Sequence, residues 1–349
     1  MRRDHEVMTR VAKLGLLVVA IVCTRADPVS AHGVAGAEPT NYATRIVSTE
    51  PAIEGIELRS VDLGDQLELR NTTGAEVLVL GYRDEPYLRV GPDGVFENRA
   101  SPSWAANRTS DDEIPVGAVV EGEDPEWVRI GSGDTVRWHD HRAHWMGTST
   151  PPAVDDHPDR EQRVSEFEVL LRQDGRDIVV SGEVVWVPGP TPWPWATAAA
   201  GLALAFVLAS RSRVWPIAFG LALVVVVATE VVHVAGTWGA TTGSTITNLA
   251  ASVYSIAGIT VAIGALVWLA RSRDPYDATP LILVAGLFLA VAGGFADLTT
   301  LTRSELPTTL APTVARAAVT ITLGLGSGLA IGAGMRLRRP APRAAGVAS

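Results

Sequence analysis

Residues 133–147 read GDTVRWHDHRAHWMG, which sets His139, His141 and His144 within six positions, flanked by Trp138 and Trp145, in a chain of 349 residues that holds seven histidines. Imidazole nitrogens ligate Cu(II), Zn(II) and other borderline metals. On a β-strand alternate side chains share a face, so His139 and His141 are expected to point the same way, with His144 following where the strand ends. Asp140 is then expected on the opposite face, which places it, with Trp138 and Trp145, around a metal rather than on it. Met146 is a soft donor suited to Cu(I). Without a metal, the same H-D-H-R-x-H segment reads as a polar loop held by charge pairs.

The start of the chain offers a fourth ligand. MRRDHEVMTRVAK is basic, and the run LGLLVVAIVCT that follows is apolar but too short to span a bilayer, the pattern of a secretory leader. Residues 1–31 are expected to be a signal peptide, with Val29 and Ala31 as the small residues before the cut and His32 as the first mature residue. Cuts after Ala26 or Ala37 are the rivals. An N-terminal His32 supplies an imidazole and an α-amine of pKa near ~8, low enough for a metal to displace its proton at neutral pH. An amine with imidazoles in a T-shaped or square-planar array suits Cu(II); zinc on three histidines with an open position is the closest competitor. Cys23, the one cysteine, lies in the leader, so the rest of the chain has neither a disulfide framework nor a thiolate site.

These ligands need a scaffold, and residues 32–187 have the pattern of an exported β-domain. Between 32 and 190 there are 30 acidic residues against 14 arginines and no lysine. Such a surface repels nucleic acid and attracts cations. GIELRSVDL, DQLELRN, EVLVLGY and DTVRWHD partly alternate apolar and polar residues, and NTTG and GPDG supply turns. The segment SEFEVLLRQDGRDIVVSGEVVWV reads as strands around turns at QDGR and SG. The expected fold is an antiparallel β-sandwich, cupredoxin- or immunoglobulin-like.

Residues 188–343 read as a membrane domain, entered through the stiff linker PGPTPWPW at 188–195. Five spans are expected near 193–210, 214–235, 247–270, 279–298 and 311–335. Five spans put RSR (211–213), RSR (271–273) and RLRRPAPR (336–343) on one side, opposite loops whose one basic residue is Arg303. The positive-inside rule then places the β-domain outside, and the C-terminus with its tail 344–349 in the cytoplasm. All but one of the 29 Lys and Arg residues are arginine, an association with GC-rich bacteria, so the expected location is a bacterial plasma membrane. Gly324, Gly328 and Gly332 form a stripe suited to close helix packing. Glu230, His233, Asp297 and Arg316 are ionisable groups inside the spans, read either as a fastening ion pair or as an intramembrane ion or proton site.

An exported β-domain that starts with histidine and ends in a DG…G…V hairpin resembles the C-type periplasmic copper-resistance proteins, with STEPAIEG at 48–55 similar to that family's opening. It also resembles the cupredoxin-like outer domains of particulate methane monooxygenase, where an N-terminal histidine and an H-x-H pair form a histidine brace. The resemblance implies that His32 takes the terminal role and His139 and His141 the pair, and that the protein serves copper acquisition, sequestration or delivery. The copper-resistance family ends in Asp-Gly-His where this chain has Asp174, Gly175 and Arg176, so that family's brace is not carried over intact. The other readings are an oxidoreductase that activates oxygen at a brace, and a metal-free module that binds a membrane or envelope protein. No nucleophile constellation or phosphate-cradling loop is present, which leans away from an enzyme.

Overall fold

The computed structural model describes residues 38–107, 124–147 and 149–338, and it divides into two compact units. Residues 1–31, expected to be a signal peptide, and His32 lie outside the described residues.

The first unit is built of antiparallel strands: β1 (Tyr42–Glu50), β2 (Ile56–Val61), β3 (Gln66–Asn71), β4 (Val77–Leu80), β5 (Pro86–Gly91), β6 (Gly94–Asn98), β7 (Trp127–Gly131), β8 (Thr135–His139), β9 (Gln162–Gln173) and β10 (Arg176–Trp186). Seven strands pair in the order β1-β10-β9-β4-β5-β6-β7, and three in the order β2-β3-β8. Along β9, Phe167, Val169 and Leu171 are buried while Glu166, Glu168 and Arg172 face water, the period of two that a half-buried strand requires. Leu67, Leu69, Val136 and Trp138 of the smaller sheet share one core with Val79, Val90, Val169, Leu171 and Ile178 of the larger.

The β9–β10 hairpin turns at Asp174 (φ 50) and Gly175 (φ 74), the positive-φ pair a two-residue turn demands. Ser181 and Gly182, expected to turn, instead lie inside β10. Gly182 is needed there for room, because a Cβ would overlap the Phe167 ring. On the smaller sheet, Glu68 of β3 is 3% exposed yet accepts from Arg59 of β2 at 2.6 Å and from Arg137 of β8. Burial would raise its carboxyl, but the two guanidiniums outweigh it and hold the group below the usual range.

The second unit is helical. Among the described residues four helices are long and apolar enough to cross a membrane: α2 (Trp215–Ala240), α3 (Val253–Arg271), α4 (Pro275–Phe295) and α5 (Pro312–Leu337). The fifth apolar helix, α1 (Trp193–Ala209), has 17 residues. The third expected span is broken: a short helix Thr245–Ala251 ends at Ser252, whose hydroxyl accepts from the Trp238 indole at 2.7 Å, before α3 begins. The last part of α4, Leu289–Phe295, is a π-helix. Gly324 and Gly328 bring the α5 backbone against α1: their Cβ atoms would lie 2.8 Å from Ala199 O and from Phe206 Cβ respectively. Gly286 and Gly326 do the same between α4 and α5.

Candidate metal centre

Pairing of β8 with β3 sets His139 opposite Gln66, so the residue before β3, Asp65, sits at the end of β8. His139 Nδ1 lies 2.8 Å from Asp65 O and 3.2 Å from its Oδ1. The strand ends here because Asp140 turns the chain. Its carboxylate accepts from Arg142 N at 3.1 Å and caps a 3₁₀ turn, His141–Ala143. His141 is therefore not on a strand, contrary to the alternation expected from sequence. The turn nevertheless folds the three imidazoles together. Ring centroids are 5.0 Å apart for His139 and His141, 4.6 Å for His139 and His144, and 6.1 Å for His141 and His144.

Asp140 is fully buried, so it is not a solvated carboxylate. Besides the cap, it accepts from the Trp138 indole at 2.9 Å and from Arg142 Nε and Nη2 at 2.9 and 2.8 Å. Burial pushes its carboxyl up, and the Arg142 guanidinium more than reverses this. Arg142 in turn donates to Glu168 O at 3.1 Å and lies 4.7 Å over the Tyr82 ring. The Tyr82 hydroxyl accepts from His141 N at 3.0 Å and donates to Asn107. Burial raises that phenol, so it keeps its proton. The turn carrying His141 is thus held from both sides. Trp145 stacks on Tyr42 and donates to Ser149 O.

A metal needs lone pairs that converge. One ligand atom each from Asp65, His139 and His144 lies within 4.8 Å of the other two. His144 Nδ1 lies 3.2 Å from Asp140 O, and His139 Nδ1 is on Asp65 O, which leaves Nε2 of both rings for a metal. His141 stands beside this trio, and its Nε2 is buried with no hydrogen-bond partner among the described residues. Such an atom costs about 1–3 kcal/mol unless something satisfies it, and an ion does.

Electrostatics favour a cation. The hydrogen bond to Asp65 raises the His139 imidazole, and the same bond lowers the Asp65 carboxyl. Burial, then the neighbouring His139, lowers His144, which keeps it neutral and ready to ligate. A cavity of ≈ 720 Å³ lies against His141 and His144, lined also by Tyr82, Trp145, Met146 and Phe167.

The three histidines are visible in the sequence as a cluster. Asp65 and Tyr82 are not, and they are brought in by strand pairing and by the turn; Arg142 lies inside the H-D-H-R-x-H segment and forms a charge pair there with Asp140. His32 lies outside the described residues. Of the four intramembrane residues, His233 Nε2 and Asp297 Oδ2 meet at 3.2 Å, Glu230 is buried against Thr322, and Arg316 Nε donates to Thr300 O at 3.2 Å. Comparison with protein-family models, known proteins and solved structures finds no match.

Proposed function

We propose that the chain is a membrane-anchored metal-binding protein whose β-domain holds Cu(II) outside the cytoplasm, for copper acquisition, sequestration or delivery to an envelope partner. The observation that carries this reading is the convergence of Asp65, His139 and His144 within 4.8 Å, with the unsatisfied His141 Nε2 beside them. Imidazole nitrogens, with the Asp65 carboxylate orienting His139 from Nδ1, suit Cu(II), which heads the divalent affinity order; zinc is the competitor. In this reading the two sheets form a cupredoxin- or immunoglobulin-like sandwich of the kind found in copper-resistance and monooxygenase outer domains. Leader cleavage then adds His32 as a terminal ligand.

The five apolar helices are read as five spans of a bacterial plasma-membrane protein, with the basic loops and the C-terminus inside. Residues 303–306, in the loop between α4 and α5, count with the β-domain, where Thr40 and Glu305 pair.

The experiment is Cu(II) titration of the full chain in detergent, read by electron paramagnetic resonance with Zn(II) as competitor. One tight equivalent with nitrogen hyperfine coupling, lost in His139→Ala and His144→Ala, supports the reading. Weak binding that both variants retain sinks it. A second reading, a copper oxidoreductase, rests on the cavity against His141 and His144, which gives a co-substrate room beside the metal.

A further inference from the structure

The membrane unit contains a buried acid that the metal centre does not explain. Glu230 lies within α2, about 22 Å along the axis from its first residue and about 15 Å from its last at 1.5 Å per residue. It is 1% exposed. Thr322 of α5 donates to its Oε2 at 3.3 Å, and the Ser255 hydroxyl of α3 faces the same carboxyl. From α4, the π-helical stretch presents Gly293, where a Cβ would come within 2.5 Å of Oε2 and 2.7 Å of Oε1. Oε1 has no hydrogen-bond partner, and Glu230 forms no ion pair, among the described residues.

The titratable groups that act on it are few. His233, one turn along α2, and Asp297, just beyond α4, are both close to Glu230 and joined to each other at 3.2 Å. His233 Nδ1 is buried without a hydrogen-bond partner among the described residues. Arg316 of α5 directs its Nε to Thr300 O. An ionised His233–Asp297 pair sums to zero, which leaves Glu230 as a lone charge among apolar helices and two hydroxyls. An isolated carboxylate in such surroundings costs several kcal/mol or more, and neutralisation removes that cost. A shared metal ion does not fit: among the described residues the compact carboxylate–imidazole trio is Asp65–His139–His144, in the β-domain.

We propose that Glu230 is a proton-binding site of the membrane domain, loaded at neutral pH, and that the His233–Asp297 pair is the relay through which its proton exchanges with water. The proposal is independent of the copper reading, since it uses no residue of the β-domain.

Dicyclohexylcarbodiimide, an apolar reagent for protonated carboxyls, tests it on the full chain in lipid nanodiscs. The acid O–H adds across one C=N bond: the carboxyl oxygen bonds the central carbon, the proton passes to nitrogen, and an O-to-N acyl shift gives a stable N-acylurea with nothing lost. Peptide mapping is expected to find the adduct on Glu230, with a rate that falls as pH rises and no adduct in Glu230→Gln. Infrared spectroscopy reads the site without reagent access: a protonated-carboxyl band at neutral pH, shifted in D₂O and absent from Glu230→Gln. Because glutamine is the isostere of the neutral acid, this variant is expected to keep the wild-type thermal midpoint. A wild-type protein without that band, or a band that survives Glu230→Gln, overturns the site. Asp297→Asn and His233→Gln are expected to slow deuterium exchange of the band at least about tenfold; an unchanged rate in both overturns the relay.

Discussion

His139 Nδ1 lies 2.8 Å from the backbone oxygen of Asp65 and 3.2 Å from its carboxylate, a contact between residues 74 positions apart. The ring has one hydrogen at Nδ1, and these two oxygens compete for it. That fixes the tautomer and leaves the Nε2 lone pair free for a metal. The same contact makes His139 a better base than a free imidazole, with direct consequences for pH.

Metal binding at this centre is expected to weaken as pH falls. Protonated His139 is stabilised by Asp65, so the proton competes with the metal up to a pH above the usual imidazole value of about 6.5. Asp65→Asn is expected to lower the pH at which affinity begins to fall and, because the oriented carboxylate is gone, to weaken Cu(II) by about 10- to 100-fold at pH 8. Titrations of both proteins across the pH range, with a competing chelator, check this. An unchanged inflection of affinity against pH would mean that Asp65 does not govern His139. In the metal-free protein the linkage runs the other way. The His139 contact stabilises the fold below the unfolded imidazole value and is lost as pH rises through the raised one. The Asp65 contribution is present above the unfolded carboxyl value and lost as pH falls through the lowered one.

Asp140 and Arg142 hold the turn that gathers the histidines, and removing the carboxylate charge leaves a largely buried guanidinium without its anion. Asp140→Asn is expected to cost about 3 kcal/mol, the low end for breaking a buried pair, because Arg142 keeps Glu168 O and the Tyr82 face. Urea unfolding followed by the fluorescence of Trp138 and its neighbours measures it, and hydrogen exchange over residues 139–147 locates it. A loss no larger than that of an exposed Asp177→Asn control would show that the pair does not support the turn. Since the folded-state value of Asp140 is depressed, its contribution is present above the unfolded carboxyl value and is lost only as pH falls through the lower one.

The legible parts of this molecule are those whose causes are local. Asp-Gly at 174–175 declares a hairpin because few other residues accept two positive φ angles in succession. The apolar helices and the histidine cluster are equally local. Ser181-Gly182 looks like a turn yet is strand, because the reason for that glycine is the Phe167 ring across the sheet. Asp65 carries no local signal of its role. Its place is set by the register of β3 on β8, which no stretch of either strand reveals alone. His141 reaches the site by a 3₁₀ turn where alternation predicts a strand. The cause is Asp140, whose cap on Arg142 N competes with continued pairing.

Glycines of the membrane unit divide by what a methyl group would meet. At Gly328 a Cβ would sit 2.8 Å from Phe206 Cβ and 3.0 Å from Ala203 O, one of them backbone that cannot yield without moving α1. Gly264 on α3 has nothing within 4 Å. Gly328→Ala is therefore expected to cost about 1–3 kcal/mol through overpacking. Gly264→Ala is expected to be neutral or to stabilise by up to about 1 kcal/mol, because alanine favours the helix. Thermal unfolding of both variants in one detergent, followed by helical circular dichroism, separates them. Equal midpoints would mean that α1 does not pack on the α5 glycine stripe. Because α1 is the shortest of the five apolar helices, that result would also remove the packing that holds it in the bundle.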